Sequence, residues 1–473
     1  LIITAARPAM GKCLSAHAEV LLADGSISTI ETIYQQKQAD LLTLTDRLRF
    51  EVTQPSAFVD DGLKPTFKVT TRLGRQVMST LPHPYLTIKG WQPLSELTVG
   101  DRIAVPRKLS IFGQSSLPEY EVKLMAYFIG DGGLTGSSPQ FTNIDSILQT
   151  DFTEAATQFP TVKVRVDTSK GTRTPSLTVT THTEALTKQR QAFSDRLSQL
   201  MVLNSISGRQ LAAELGVSPS LVTLWKQGKC APEEQIFHHL CDLLQQQPEQ
   251  LAPQGYESIR WTGKNPVTAW LSQLGLWGCS AHTKTIPAIV FTLPKPQLAL
   301  FLNRLFATDG WASVLSSRQA QIGYATVCEK MARQIQHLLL RFGIVATLKK
   351  RRIKYKETRR EAWQLDITDA IALNTFANEI GIFSKEKAVR QVVETVAAKK
   401  YHTNRDLIPV EVWNQLKTAK GEESWSRLAK RAGIASNSNI HVGTRALSRP
   451  RLAALANAIE HPPLQDLATS DIY

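Results

Sequence analysis

Cysteine is scarce in this chain, with five residues in 473, at positions 13, 230, 241, 279 and 328. Their spacing offers neither the pairs of a disulfide framework nor the short-range sets of a structural zinc site. No apolar run approaches the ~20 residues needed to cross a bilayer, and the first residues lack the basic region of a secretory signal, so no membrane partner is expected. A reducing, cytoplasmic setting is the default. Acidic residues are also few, 41 against 55 Lys and Arg, for a net charge of +14. That balance favours a polyanionic partner, bound with release of counterions. The length leads us to expect ~3 domains with sizeable cores.

What is present is a duplicated pattern. EVKLMAYFIGDGGLTG (121–136) and ALFLNRLFATDGWA (299–312) are apolar runs at helical spacing, each closed by an aspartate and then glycine. The glycine is expected to end the helix where its carboxylate is displayed. Asp131 and Asp309 are thereby set at the ends of two helices that can pack side by side. Paired carboxylates suit divalent cations and phosphodiester chemistry, whereas either run alone reads as a core helix with an ordinary Asp-Gly turn. The pattern continues past both helices. Gln140-Phe141-Thr142 answers Gln321-Ile322-Gly323, and helical stretches reach Phe159 and Phe342. Basic, β-rich segments follow (VKVRV at 162–166, IVATLKKRRIKY at 344–355), then the tails WLSQLGLWGCSAHTK (270–284) and TFANEIGIFSKEK (375–387). A unit this long, present twice, is a duplication.

The motifs MAYFIGDGG and LNRLFATDG, with KTIPAIVF (284–291) ahead of the second, resemble the LAGLIDADG family of homing endonucleases in its two-motif form. The resemblance implies an α+β, pseudo-symmetric nuclease whose Asp131 and Asp309 bind catalytic Mg²⁺ and whose strands form a saddle over double-stranded DNA. It also implies an accessory cation at Lys349, with Lys350, Arg351 and Arg352 beside it against the DNA.

Upstream, LIITAARPAMGK (1–12) reads as a buried strand running into a phosphate loop of the form G-x-x-x-x-G-K-[ST], with Ala6 and Cys13 in place of its first glycine and its hydroxyl residue. It resembles the nucleotide loop of DnaB-family replicative helicases, which are hexameric when mature. Severed after Lys12, the loop is not expected to hydrolyse ATP. From Cys13, CLSAHAEVLLADGSISTIETI combines alternating apolar residues, an Asp24-Gly25 turn and a helix opening at Ser28 or Thr29. A run of short strands and turns (71–109) contains Thr80-x-x-His83. Together residues 13–109 resemble the N-terminal splicing blocks of an intein, an incomplete all-β Hint-type domain. The resemblance implies that Cys13 attacks the Lys12–Cys13 peptide bond to give a thioester, that His83 protonates the leaving nitrogen, and that Thr80 holds the peptide. Taken singly, Cys13 would be a small buried hydrophobe and His83 a turn histidine.

Two helical additions complete the chain. SGRQLAAELGVSPSLVTLWKQGK (207–229) resembles the helix-turn-helix of Cro/cI-type repressors, with Leu211, Ala212, Leu215, Val217, Val222 and Trp225 as its apolar contacts. Ser218, Ser220, Thr223 and Lys226 are then candidates to face a DNA groove; a helical hairpin without DNA function is the alternative. Residues 400–465 are basic and helical, with Arg445 and Arg449 as candidate DNA contacts, or else form a spacer returning the chain to the splicing unit. In inteins of this kind, LATSDIY (467–473) leads into the last splicing blocks, so splicing requires a further C-terminal segment as partner.

The expected layout is a helicase flank (1–12), a splicing unit (13–109), and a first nuclease half (118–195, ending at 253–283) interrupted by the insertion 196–252. A second half (284–395), the helical module (400–465) and the start of a C-terminal splicing region (466–473) follow. Two other readings are a decayed nuclease that only binds DNA and a helix-turn-helix regulator that never cuts.

Overall fold

A computed structural model describes residues 13–167, 174–181, 184–260, 265–355, 358–398, 406–434 and 443–472. The helicase flank, and with it Lys12, lies outside the described residues.

Residues 13–109 form short antiparallel hairpins. Glu19–Leu21 pairs with Ile27–Thr29, Leu41–Leu44 with Phe50–Thr53, Phe67–Thr70 with Gln76–Ser79, and Pro84–Thr87 with Gly90–Pro93. The Asp24-Gly25 turn closes the first, where the Asp24 carboxylate accepts from the Ser26 N–H and Gly25 takes a φ of 89° that only glycine adopts freely. The expected helix opens at Ile30, with the Thr29 hydroxyl capping the Thr32 N–H.

Two four-stranded antiparallel sheets follow. In the first (Gly132–Gly133, Gln140–Thr142, Val162–Asp167, Ser176–Thr181) and in the second (Gly310–Val314, Ala320–Thr326, Thr347–Tyr355, Thr358–Ile367), the order across the sheet is first, second, fourth, third strand. Each sheet is entered from an apolar helix, Glu119–Asp131 or Lys295–Asp309. The two helices pack against each other, and Val122, Met125, Phe128, Phe301, Leu302 and Phe306 are fully buried in one core. Their approach is closest where Gly130 meets Thr308: a Cβ on Gly130 would lie 2.1 Å from the Thr308 Oγ1.

The insertion is larger than its sequence suggested. Its first helix runs from Glu184 to Leu203, and Phe193 and Leu197 join Leu211, Val222, Trp225, Phe237 and Leu240 in a separate core. Its start therefore lies before residue 196, because those apolar positions need the partners downstream. The 406–472 module has a third core, built on Trp413, Leu416, Leu452 and Leu455, against which Leu48 and Ile88 of the N-terminal unit pack. Arg107 and Asp406 bridge the two at 2.8 Å, and Pro106 pairs with Ile472. No helix among the described residues is long and apolar enough to cross a membrane.

Candidate active site

Asp131 and Asp309 end the two packed helices, and each is followed directly by a strand. Both helices end at the aspartate, with the glycine as the capping residue, as the sequence suggested. Gly132 and Gly310 have φ of −78° and −90°, an extended backbone open to any residue. Glycine is required for space, since a Cβ would lie 2.4 Å from the Phe128 carbonyl or 2.6 Å from that of Phe306.

Two lysines, rather than Lys349, accompany the carboxylates. The Lys284 Nζ donates to the Gly132 carbonyl at 2.5 Å and reaches that of Ile129 at 3.4 Å. The Lys385 Nζ donates to the Gly310 carbonyl at 2.7 Å and to that of Thr308 at 3.2 Å. Each ammonium thus sits on the negative end of one motif helix. Burial pushes the Lys284 ammonium down to about 8, although Asp131 and Asp309 both favour its charge. Asp309 is crowded by protein atoms yet open to solvent on one side; crowding and the Asp131 charge raise its carboxyl to about 6, against the pull of both lysines. Desolvation therefore outweighs the ion pairs at both groups. Asp131 is also raised by burial, and the Asn143 amide, donating at 2.7 Å, opposes that shift.

Alternation along the strands sorts the basic residues between faces. Lys349 and Arg351 lie opposite Gln364 and Ala362. Lys350 and Arg352 share the other face with buried Leu348, and Lys350 pairs with Glu361 at 2.8 Å. Lys163 and Arg165, opposite Thr180 and Thr178, are the corresponding cations of the first sheet, and sequence reasoning did not single them out. In the insertion, Ser218, Ser220, Thr223 and Lys226 are all exposed along Pro219–Lys226, whereas Val222 and Trp225 are buried beneath it.

Arg449 corrects the sequence reading, because it is not available to DNA. It is buried, donates to Asp406 at 2.6 Å and to the Ile472 carbonyl at 2.6 Å, and reaches further carbonyls of residues 467–470. Arg445 is exposed. The module packs on the N-terminal unit through Leu48, Ile88 and the Arg107–Asp406 pair.

A second constellation surrounds Cys13. Its carbonyl accepts from the Thr80 N–H (3.2 Å) and hydroxyl (3.4 Å), one peptide beyond the bond Thr80 was expected to hold. His83 is buried, edge-on to Tyr85 at 5.3 Å. The Cys13 thiol donates to Asp61 at 2.7 Å, and Lys64 pairs with Asp61 at 2.7 Å. Partial burial and the Asp61 contact raise the thiol, so its resting form is protonated rather than the thiolate expected of a nucleophile.

Residues 296–381 match the LAGLIDADG-like domain. Over 98% of its length the chain is 25% identical to the replicative DNA helicase DnaB of Synechocystis sp. and 28% identical to that of Rhodothermus marinus. It spans less than half of those curated relatives, 45% and 42%. A crystal structure of a mutant Ssp DnaB mini-intein is 30% identical over 23% of this chain and 70% of that one, with a TM-score of 0.20. The chain thus matches a LAGLIDADG-like domain over residues 296–381 and is similar over 98% of its length to replicative DNA helicases of the DnaB type.

Proposed function

We propose that the chain is an intein segment lodged in a replicative helicase and that it cuts double-stranded DNA at one site as a homing endonuclease. The observation that carries this reading is the pair Asp131 and Asp309 at the ends of packed helices, each helix end held by a buried or half-buried lysine. The carboxylates suit Mg²⁺: two hard oxygen donors, one of them crowded by protein atoms yet open to solvent on one side, leave room for water and phosphate oxygens as further ligands. Asp131 and Asp309 would hold the ion, which when bound polarises the phosphate and activates water. Lys284, near 8, exchanges a proton at Nζ close to neutral pH. Lys163, Arg165, Lys349 and Arg351 bind backbone phosphates, and the helix Pro219–Lys226 lengthens the site that is read. Incubation with a plasmid carrying the uninterrupted helicase loop tests the reading: magnesium-dependent linearisation, lost in EDTA and in Asp309→Asn, is expected. Binding without cutting would instead establish the decayed alternative.

The gathering of Cys13, Thr80 and His83, with the His83 N–H on the Thr80 carbonyl at 3.1 Å, supports splicing chemistry at the other site. The thiol hydrogen passes to Asp61, Sγ bonds to the Lys12 carbonyl carbon, and the C–N bond breaks as His83 protonates the nitrogen. Dithiothreitol should then release residues 1–12, and Cys13→Ala should abolish release. Completed splicing would return the helicase chain intact.

A further inference from the structure

The two halves carrying the carboxylates are joined by one buried ionic network. Asp151, on Ser146–Ala156 of the first half, accepts from the Tyr127 hydroxyl at 2.6 Å and from Arg304 Nε at 2.8 Å, and pairs with Lys123 at 3.1 Å. Arg304 belongs to the second motif helix, so this ion pair crosses between halves. From Arg304 the contacts continue into the second half's tail. Its Nη1 donates to Asn303 Oδ1 (2.6 Å), Asn303 Nδ2 donates to the Ile380 carbonyl (2.7 Å), and the guanidinium lies 3.7 Å from the centroid of the Phe383 ring. That tail is a tight turn, with Gly381 and Ser384 left-handed at φ of 68° and 64°, and it delivers Lys385 to the end of the Asp309 helix. Counting back from the aspartates, Tyr127 corresponds to Leu305 and Arg304 to Ala126, so the first half cannot make the reciprocal bridge.

We propose that Asp151 and Arg304 are positioning residues through which the first half fixes Lys385 beside Asp309, making the two half-sites inequivalent. The inference rests on the nuclease reading for its catalytic consequence but not for its geometry. A buried ion pair of this kind holds one arrangement because either partner left alone is costly, and the guanidinium plane stacked on Phe383 transmits that arrangement to the turn. Lys284 lies in the other tail, with no contact to Arg304 among the described hydrogen bonds, and serves as an internal control.

The test is acetylation of the metal-free chain with an N-hydroxysuccinimide ester, mapped by peptide mass spectrometry, in wild type, Arg304→Met, Asp151→Asn, Asp151→Glu and Phe383→Leu. Labelling of Lys385 should rise by about tenfold in Arg304→Met and Asp151→Asn, the size of a coupling between neighbouring residues. Lys284 should be unchanged and Asp151→Glu should retain most of the protection. Phe383→Leu, which leaves the buried pair intact, should give a smaller rise and decides the matter if the charge variants do not fold. Equal rises at both lysines, or none at Lys385, would overturn the proposal. With end-labelled DNA, the same variants should slow cutting of one strand more than the other. Absence of cutting by the wild type would sink the nuclease reading, while the labelling result would still stand or fall by itself.

Discussion

Asp309 and Arg449 show how little residue type says about a side chain until its surroundings are fixed. The duplicated Asp-Gly ending makes Asp131 and Asp309 legible in the sequence, since the same residue closes the same apolar pattern twice. Lys284 and Lys385 are not legible as a pair: they stand at different distances beyond Gly275 and Gly381, and only the folded tails bring both to helix ends. Arg449 reads as one more cation in a basic stretch, yet it is enclosed by carbonyls and Asp406. Its removal takes one of two guanidiniums from Asp406, which Arg107 still pairs, and leaves the carbonyls of residues 467–472 without that donor, so Arg449→Met should cost about 1–3 kcal/mol in urea unfolding without changing DNA affinity. For Asp309, the carboxyl is raised to about 6, above its ordinary 3.8, so its penalty on folding is absent below the lower value and complete above the higher. Asp309→Asn should therefore stabilise the metal-free protein at pH 7.5, by at most about 1 kcal/mol given its open side, and not at pH 4. Calorimetric melting at the two pH values checks this, and added Mg²⁺ should raise the melting temperature of the wild type alone.

Among the elements, the paired motif helices depend on a contact with no slack. Gly130→Ala would drive a methyl group to 2.1 Å from the Thr308 hydroxyl, which forces the helices apart. Loss of about 1–3 kcal/mol and of magnesium-dependent cleavage is expected, and Thr308→Gly in the same chain should recover most of both. The strands were legible from alternation, and their order across each sheet was not, because pairing between distant segments is set by the core they share. On the open faces, Lys163→Ala and Arg165→Ala should each weaken binding to every DNA sequence alike and lower the salt slope by ~1. Lys350→Ala should do less, since Glu361 already neutralises it. Gel shifts over a salt series would separate the two behaviours.

At the scale of the molecule, the N-terminal unit and the nuclease halves are fastened through backbone carbonyls. Arg341, fully buried, donates to Gly25 and Phe291, and the Leu348 N–H donates to the Leu73 carbonyl at 3.0 Å. Such an interface should melt as one transition, and Arg341→Met should divide it into two in calorimetry. The bridge between Pro106 and Ile472 has a further meaning. Everything between those residues is an excursion that departs from and returns to the same edge of the N-terminal unit, like a side road rejoining at its own junction. Both the nuclease and the insertion nested inside it could be gained or lost with a graft of a few residues, and the hairpins around Cys13 and His83 would keep their ends where they now lie.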